Sequence, residues 1–195
     1  MNHAFSFFAE TYATEILKTV SVWREFADAD LDHRLEPRAR TLREQMVHQC
    51  VSEDLWMKNM LGLDAGRPPL PAEERCETFI RHYAVAAQAR LALLKEKPEG
   101  WFSEPTTFFQ EPRSRSWVLL RRFTHNAHHR GQVTMLARAL GKELHSTYGP
   151  TADTGGLFQN HAPVIYRYES IEDLLADAPP APLPGPGALP PTERP

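Results

Sequence analysis

Four stretches of this chain place apolar residues at alternating intervals of three and four, and a chain patterned that way buries itself by packing helix on helix. Phe5, Phe8, Tyr12, Ile16, Thr19, Trp23 and Phe26 mark the first, over residues 5–26. Leu42, Met46, His48, Val51, Leu55, Trp56 and Met60 mark the second. It opens at Thr41-Leu42-Arg43-Glu44, a capping box whose hydroxyl and carboxylate satisfy free amides at a helix start, and Gly62 is placed to end it. Cys76, Ile80, Tyr83, Ala87, Leu91 and Leu94 mark the third, with Pro71 suited to its first turn and Pro98 and Gly100 to its close. The fourth runs over residues 114–140 and stops at Gly141.

These stripes predict an all-α chain, an antiparallel four-helix bundle with a C-terminal loop and short helix over residues 1–177. Residues 28–40 read as turn. Residues 101–112, rich in aromatics and turn formers, read as an ordered loop carrying Trp101, Phe102, Phe108 and Phe109 inward. Residues 148–156 lack any period, and Ser170-Ile171-Glu172-Asp173 opens at most two turns of helix. From residue 178 onward, eight of the chain's 17 prolines gather with Gly and Ala. Such a composition buries too little apolar surface to offset the entropy of ordering, so residues 178–195 are expected to form a disordered tail.

The fourth stretch carries the chemistry. His125 and His129 stand one turn apart on a helix, and Val118, Gln132, Leu136 and Ala139 fall within about 40° of them. Both imidazoles therefore share the inward stripe, where they can grip one divalent metal. His128 sits about 60° to one side, toward Trp117 and Met135; it reads as a packing residue, or as a substitute ligand, since a spacing of three also brings side chains together. A third donor has to come from a facing helix, and His48 lies inside the apolar arc of the second. Three neutral imidazoles leave a coordination position open, as catalytic sites do. The bland alternative is that each is a hydrogen-bonded core histidine.

Other groups fit less well. Cys50 and Glu53 lie about 160° and about 140° from His48, away from the presumed metal. Asn126 stands where a zincin carries its Glu, which argues against a zinc protease, and the pair lacks the Glu-x-x-His spacing of di-iron bundles, which favours a mononuclear site. His3, His33, His82, His145 and His161 have no comparable partner and read as surface or loop residues. No P-loop, dinucleotide fingerprint or Gly-x-Ser-x-Gly elbow is present.

A net charge of −3 gives no basic excess, so a nucleic-acid partner is unsupported. Arg113, Arg115, Arg121 and Arg122 spread around their helix and read as solvated surface. The two cysteines, Cys50 and Cys76, read as reduced buried thiols, too few for a disulfide scaffold. No stretch approaches the length of a membrane span and no leader is evident, so a cytoplasmic protein is expected.

Taken together, Thr41-Leu42-Arg43-Glu44-Gln45-Met46-Val47-His48, then Glu53 and Trp56, then His125-Asn126-Ala127-His128-His129-Arg130-Gly131-Gln132 resemble the DinB family, over about residues 5–160. The resemblance implies an up-down-down-up bundle, commonly a homodimer, with one divalent metal, usually zinc or nickel, held by His48, His125 and His129. It also implies thiol-dependent transferase or isomerase chemistry, in which the metal activates a low-molecular-weight thiol. The expectation is a metal-dependent transferase or hydrolase that activates a thiol or water toward a small-molecule substrate. The alternative is a non-catalytic, metal-binding, stress-associated dimer. Trp56, Tyr83 and Phe108 are candidates to line the pocket, or plain core.

Overall fold

The four apolar stripes fold as four long helices: α1 (Phe7–Trp23), α2 (Leu42–Asp54), α3 (Cys76–Lys95) and α5 (Arg115–Ala139), joined by two short ones, α4 (Glu99–Ser103) and α6 (Ile171–Leu175). They are seen in a computed structural model that describes residues 3–145, 147–148, 151, 153 and 166–180. Helix α1 packs on α3 and α5, α2 rests chiefly on α5, and α6 covers α3. Their inward residues, among them Ile16, Met46, Phe79 and Val118, form one buried cluster. Among the described residues the fold is all-α but for one small hairpin. Most of the tail, residues 181–195, and residues 149–150, 152 and 154–165 of the aperiodic loop lie outside the described residues.

Local chemistry explains most boundaries. The capping box holds α2 as expected: Glu44 N donates to Thr41 Oγ1 at 3.1 Å and Thr41 N to Glu44 Oε2 at 2.8 Å. Gly141, at φ +67°, ends α5 in a Schellman turn, with Lys142 N donating to Ala137 O at 2.9 Å. Helix α3, however, begins at Cys76 rather than near Pro71. The carboxylate of Asp28, brought from the turn after α1, accepts from Cys76 N and from Arg75 Nε, each at 2.8 Å. A distant anion thus fixes a helix start, and these bonds hold the Asp28 carboxyl below its usual pKa, the Cys76 amide first.

Two further expectations are corrected. The second helix does not stay α to its end: Leu55–Met60 is a π turn, a distortion that recurs at functional sites and leaves no mark on apolar spacing. Residues 101–112 are not loop. They form the end of α4 and a hairpin of β1 (Pro105–Phe108) and β2 (Glu111–Ser114), with Phe108 paired to Glu111. The two turn residues, Phe109 and Gln110, take φ +46° and +81°, values that hairpin turns normally reserve for Asn, Asp or Gly. With none of those present, the sequence carries no hairpin signal. Trp101 and Phe102 are buried as expected, but Phe109 at the tip is 61% exposed.

Candidate metal centre

Helices α2 and α5 bring His48, His125 and His129 together, so that one ligating nitrogen from each lies within 4.8 Å of the others. The ring centroids of His48 are 5.3 Å from His125 and 4.5 Å from His129. Nε2 of His125 and Nε2 of His129 are 3.2 Å apart, against roughly 3.3 Å for two nitrogens on a tetrahedral zinc. His129 is buried, and the other two are half-buried. His128 is excluded from the group. It is exposed, and its Nε2 accepts from Gln132 Nε2 at 3.2 Å.

The partners of the rings fix their protons. Arg122 Nη1, which only donates, lies 3.1 Å from His125 Nδ1. His125 therefore carries its proton on Nε2 and donates it to His129 Nε2. His129 in turn donates from Nδ1 to Gln45 Oε1 and Gln132 Oε1, at 3.0 and 2.9 Å. That leaves His129 Nε2 with its lone pair aimed at the group, its ring held from behind by two amide oxygens, as metal-ligating histidines are. His125 would hold an ion through Nε2 only with its proton on Nδ1 instead. Arg122 Nη1 would then give up that nitrogen but keep Ser52 Oγ at 2.9 Å.

Electrostatics keep all three rings neutral, the state in which they ligate. Burial, with Arg122 and His129 adding to it, brings the His125 pKa down to about 3. Burial and then His48 bring His129 down to about 4. His48 is lowered too, by burial and then by Arg40 and Arg122. Three neutral nitrogen donors with no carboxylate among them suit zinc or nickel better than calcium or magnesium, so the residues present fit a divalent transition ion.

Behind the histidines lies a buried polar network that the sequence pattern hid. Glu53, pointing away from the group as expected, is not at the surface. It accepts from Tyr12 OH at 2.7 Å and Tyr83 OH at 2.6 Å, and lies 3.5 Å from Arg90 Nη1 and 3.3 Å from Arg122 Nη2. Asn126 Oδ1 accepts from Arg122 Nη2 at 3.1 Å. Arg122 is therefore buried rather than solvated, and Tyr83 serves Glu53 instead of lining a pocket. One signal was available: Arg122 precedes His125 by three residues and so shares its face.

Beside His125, the buried Trp56 stands with its ring 5.0 Å away, and Phe108 meets Trp56 edge-on at 5.0 Å. Val51 and Leu55, expected to share the inward arc of His48, are 39% and 41% exposed, because α2 has α5 on one flank and solvent on the other. The remaining histidines stand apart. His145 is buried in its loop, with Nδ1 3.5 Å from Glu25 Oε1, rather than at the surface. His82 is half-buried on α3, and His161 is outside the described residues. Cys50 and Cys76 are free and buried. Burial pushes both thiols up, Cys76 to about 12, so neither is a thiolate near neutrality. Among the described residues no helix is long and apolar enough to cross a membrane.

Comparisons with known proteins agree with this architecture. The DinB family model matches residues 1–156. A DinB-like protein from Bacillus cereus superposes with a TM-score of 0.66 at 23% identity, over 76% of this chain and 100% of that one. A DinB-like protein from Bacillus subtilis superposes with a TM-score of 0.58 at 14% identity, over 70% of this chain and 92% of that one. At these identities the likeness is one of fold. No curated protein matches the chain.

Proposed function

Because the chain belongs to the DinB family, we propose that it is a metal-dependent enzyme whose His48, His125 and His129 hold one divalent ion, zinc or nickel, beside an open reaction position. The observation that carries this reading is the convergence of three neutral imidazoles from two helices, with His48 lining a cleft where a small molecule can enter. A divalent ion supplies Lewis acidity, which lowers the pKa of a thiol or water offered to it.

The chain's own residues do the rest. Gln45 and Gln132 orient His129, and the depressed histidine pKa values keep protons from competing for the nitrogens near neutrality. Trp56 and Phe108 keep water from one side of His125. We assign the reaction to transfer from a low-molecular-weight thiol onto a small electrophilic substrate, catalysed by a homodimer. Two free thiols fit a reducing, cytoplasmic setting.

Metal content of the purified protein, followed by thiol-transfer assays on wild type and His125→Ala, tests the proposal. Expected are one ion per chain, transfer with at least one thiol, and loss of both ion and transfer in the variant. A protein that keeps its ion, is silent with every thiol, and loses only thermal stability in His125→Ala is instead a bundle whose ion tightens α2 against α5.

A further inference from the structure

Two guanidiniums near the three histidines, Arg40 and Arg121, have no anion among the described residues to answer them, and Arg40 is the one that lines the cleft containing His48. Arg34, Arg38 and Arg43 each pair with an acid: Arg34 with Glu44 at 3.1 Å, Arg38 with Glu36 at 2.7 Å, and Arg43 with Asp32 at 2.9 Å. Arg40, in the middle of this run, makes no side-chain hydrogen bond or ion pair among the described residues. It borders two clefts, each of about 530 Å³. The first also contains Leu35, Met135 and the Gln45–Gln132 pair that holds His129. The second contains His48 itself. Arg40 thus lines both the cleft that contains His48 and the one that contains the two glutamines holding His129.

The local balance of charge points the same way. The histidine group contains no carboxylate, so a divalent ion held by it keeps its full charge. Glu44 is the acid beside the second cleft, and it is already engaged by Arg34 and the Thr41 amide. Arg122 is answered by Glu53. What remains at the mouth is a cationic field with the unpaired guanidinium of Arg40, which lines a cleft with the apolar side chains of Leu35 and Met135.

We propose that Arg40 binds a carboxylate on the thiol or substrate, holding an organic acid with an apolar body against the histidine group. This rests on the metal reading above. A guanidinium presents paired N–H groups that match the two oxygens of a carboxylate. A phosphate would draw on helix-start amides as well, and those of α2 are taken. Leu42 N donates to His33 O, Arg43 N to Leu31 O and Glu44 N to Thr41 Oγ1.

The test uses the full chain loaded with cobalt(II), whose thiolate charge-transfer band reports sulfur binding. Mercaptopropionate and mercaptohexanoate are titrated beside mercaptopropanol and mercaptohexanol, in wild type, Arg40→Gln and Arg40→Lys. At one length at least, the acid is expected to bind roughly tenfold more tightly than its alcohol. That ratio should fall to about one in Arg40→Gln and recover in part in Arg40→Lys. Equal binding of acids and alcohols to wild type, or an acid preference that survives Arg40→Gln, overturns the anchor while leaving the metal reading intact. Inorganic phosphate displacing the acids better than acetate does also overturns the carboxylate assignment. Failure of wild type to hold cobalt removes both readings together.

Discussion

Glu53 Oε2 lies 3.3 Å from Arg122 Nη2 in a place where neither side chain meets water, at 0% and 1% exposure. The same carboxylate answers Arg90 and takes two tyrosine hydroxyls, whose own pKa values burial and then Glu53 push well up. The network joins α1, α2, α3 and α5, and ends on His125 through the second nitrogen of Arg122.

Removing that one negative charge leaves the buried Arg122 without a counter-ion, while Arg90 keeps Asp54 at 2.7 Å, and breaking a buried pair from one side costs about 3–5 kcal/mol. Glu53→Gln is therefore expected to lower the free energy of urea unfolding by that order. A loss within about 0.5 kcal/mol, the range of an ordinary surface substitution, would show that the network is not what holds the helices in register.

How far the sequence disclosed this centre depends on what each residue's signal measures. His125 and His129 were legible because helical spacing alone puts them on one face, and His48 because one apolar stripe contains it. Glu53 was half legible: its angle from His48 kept it off the metal, but the helical wheel says nothing about a third or fourth helix packed on that side, so its burial went unseen. Arg122 was read as surface since an arginine is rarely buried without a partner, and its partner is 69 residues away. The π turn and the hairpin leave no periodic trace, and the start of α3 is set by Asp28, a contact across 48 residues.

The positions of His128 and His129 separate a candidate ligand from a bystander. His128→Ala is expected to leave metal stoichiometry unchanged and affinity nearly so, since its ring is exposed and contacts only Gln132 and the edge of His129. His129→Ala should abolish tight binding. Gln132→Leu, which removes one of two acceptors behind His129, should weaken binding by roughly tenfold. Competition against a chromophoric chelator measures all three. Equal losses from His128→Ala and His129→Ala would mean that His128 serves as the ligand in solution.

Acid should loosen the metal-free bundle through the same rings. His125 and His129 titrate near 3 and 4 in the folded chain, chiefly because burial excludes the charged form, but near 6.5 when unfolded. Below about pH 6.5 the unfolded chain binds more protons, so stability present above that value is lost progressively as pH falls toward the folded pKa values. With chelator present, the urea midpoint of wild type should fall between about pH 7.5 and about pH 5, and fall less in His125→Asn/His129→Asn. Parallel curves for the two proteins would assign the acid sensitivity to other groups.

The hairpin tip offers a change in the opposite direction. Gln110 is held at φ +81°, where a side chain costs about 1–2 kcal/mol that glycine does not incur, set against the extra freedom glycine gives the unfolded chain. Gln110→Gly should thus stabilise the protein by about 0.5 kcal/mol, a rise of about 1–2 °C in Tm for a chain of this size. The hairpin touches Trp56 through Phe108 and Phe109, at 5.0 and 6.1 Å, and neither touches a histidine of the group, so metal affinity should stay as it was. A Tm that falls would show that the left-handed turn is not populated in solution. A metal affinity that moves with it would mean that the hairpin, and not α2 and α5 alone, sets the position of His125.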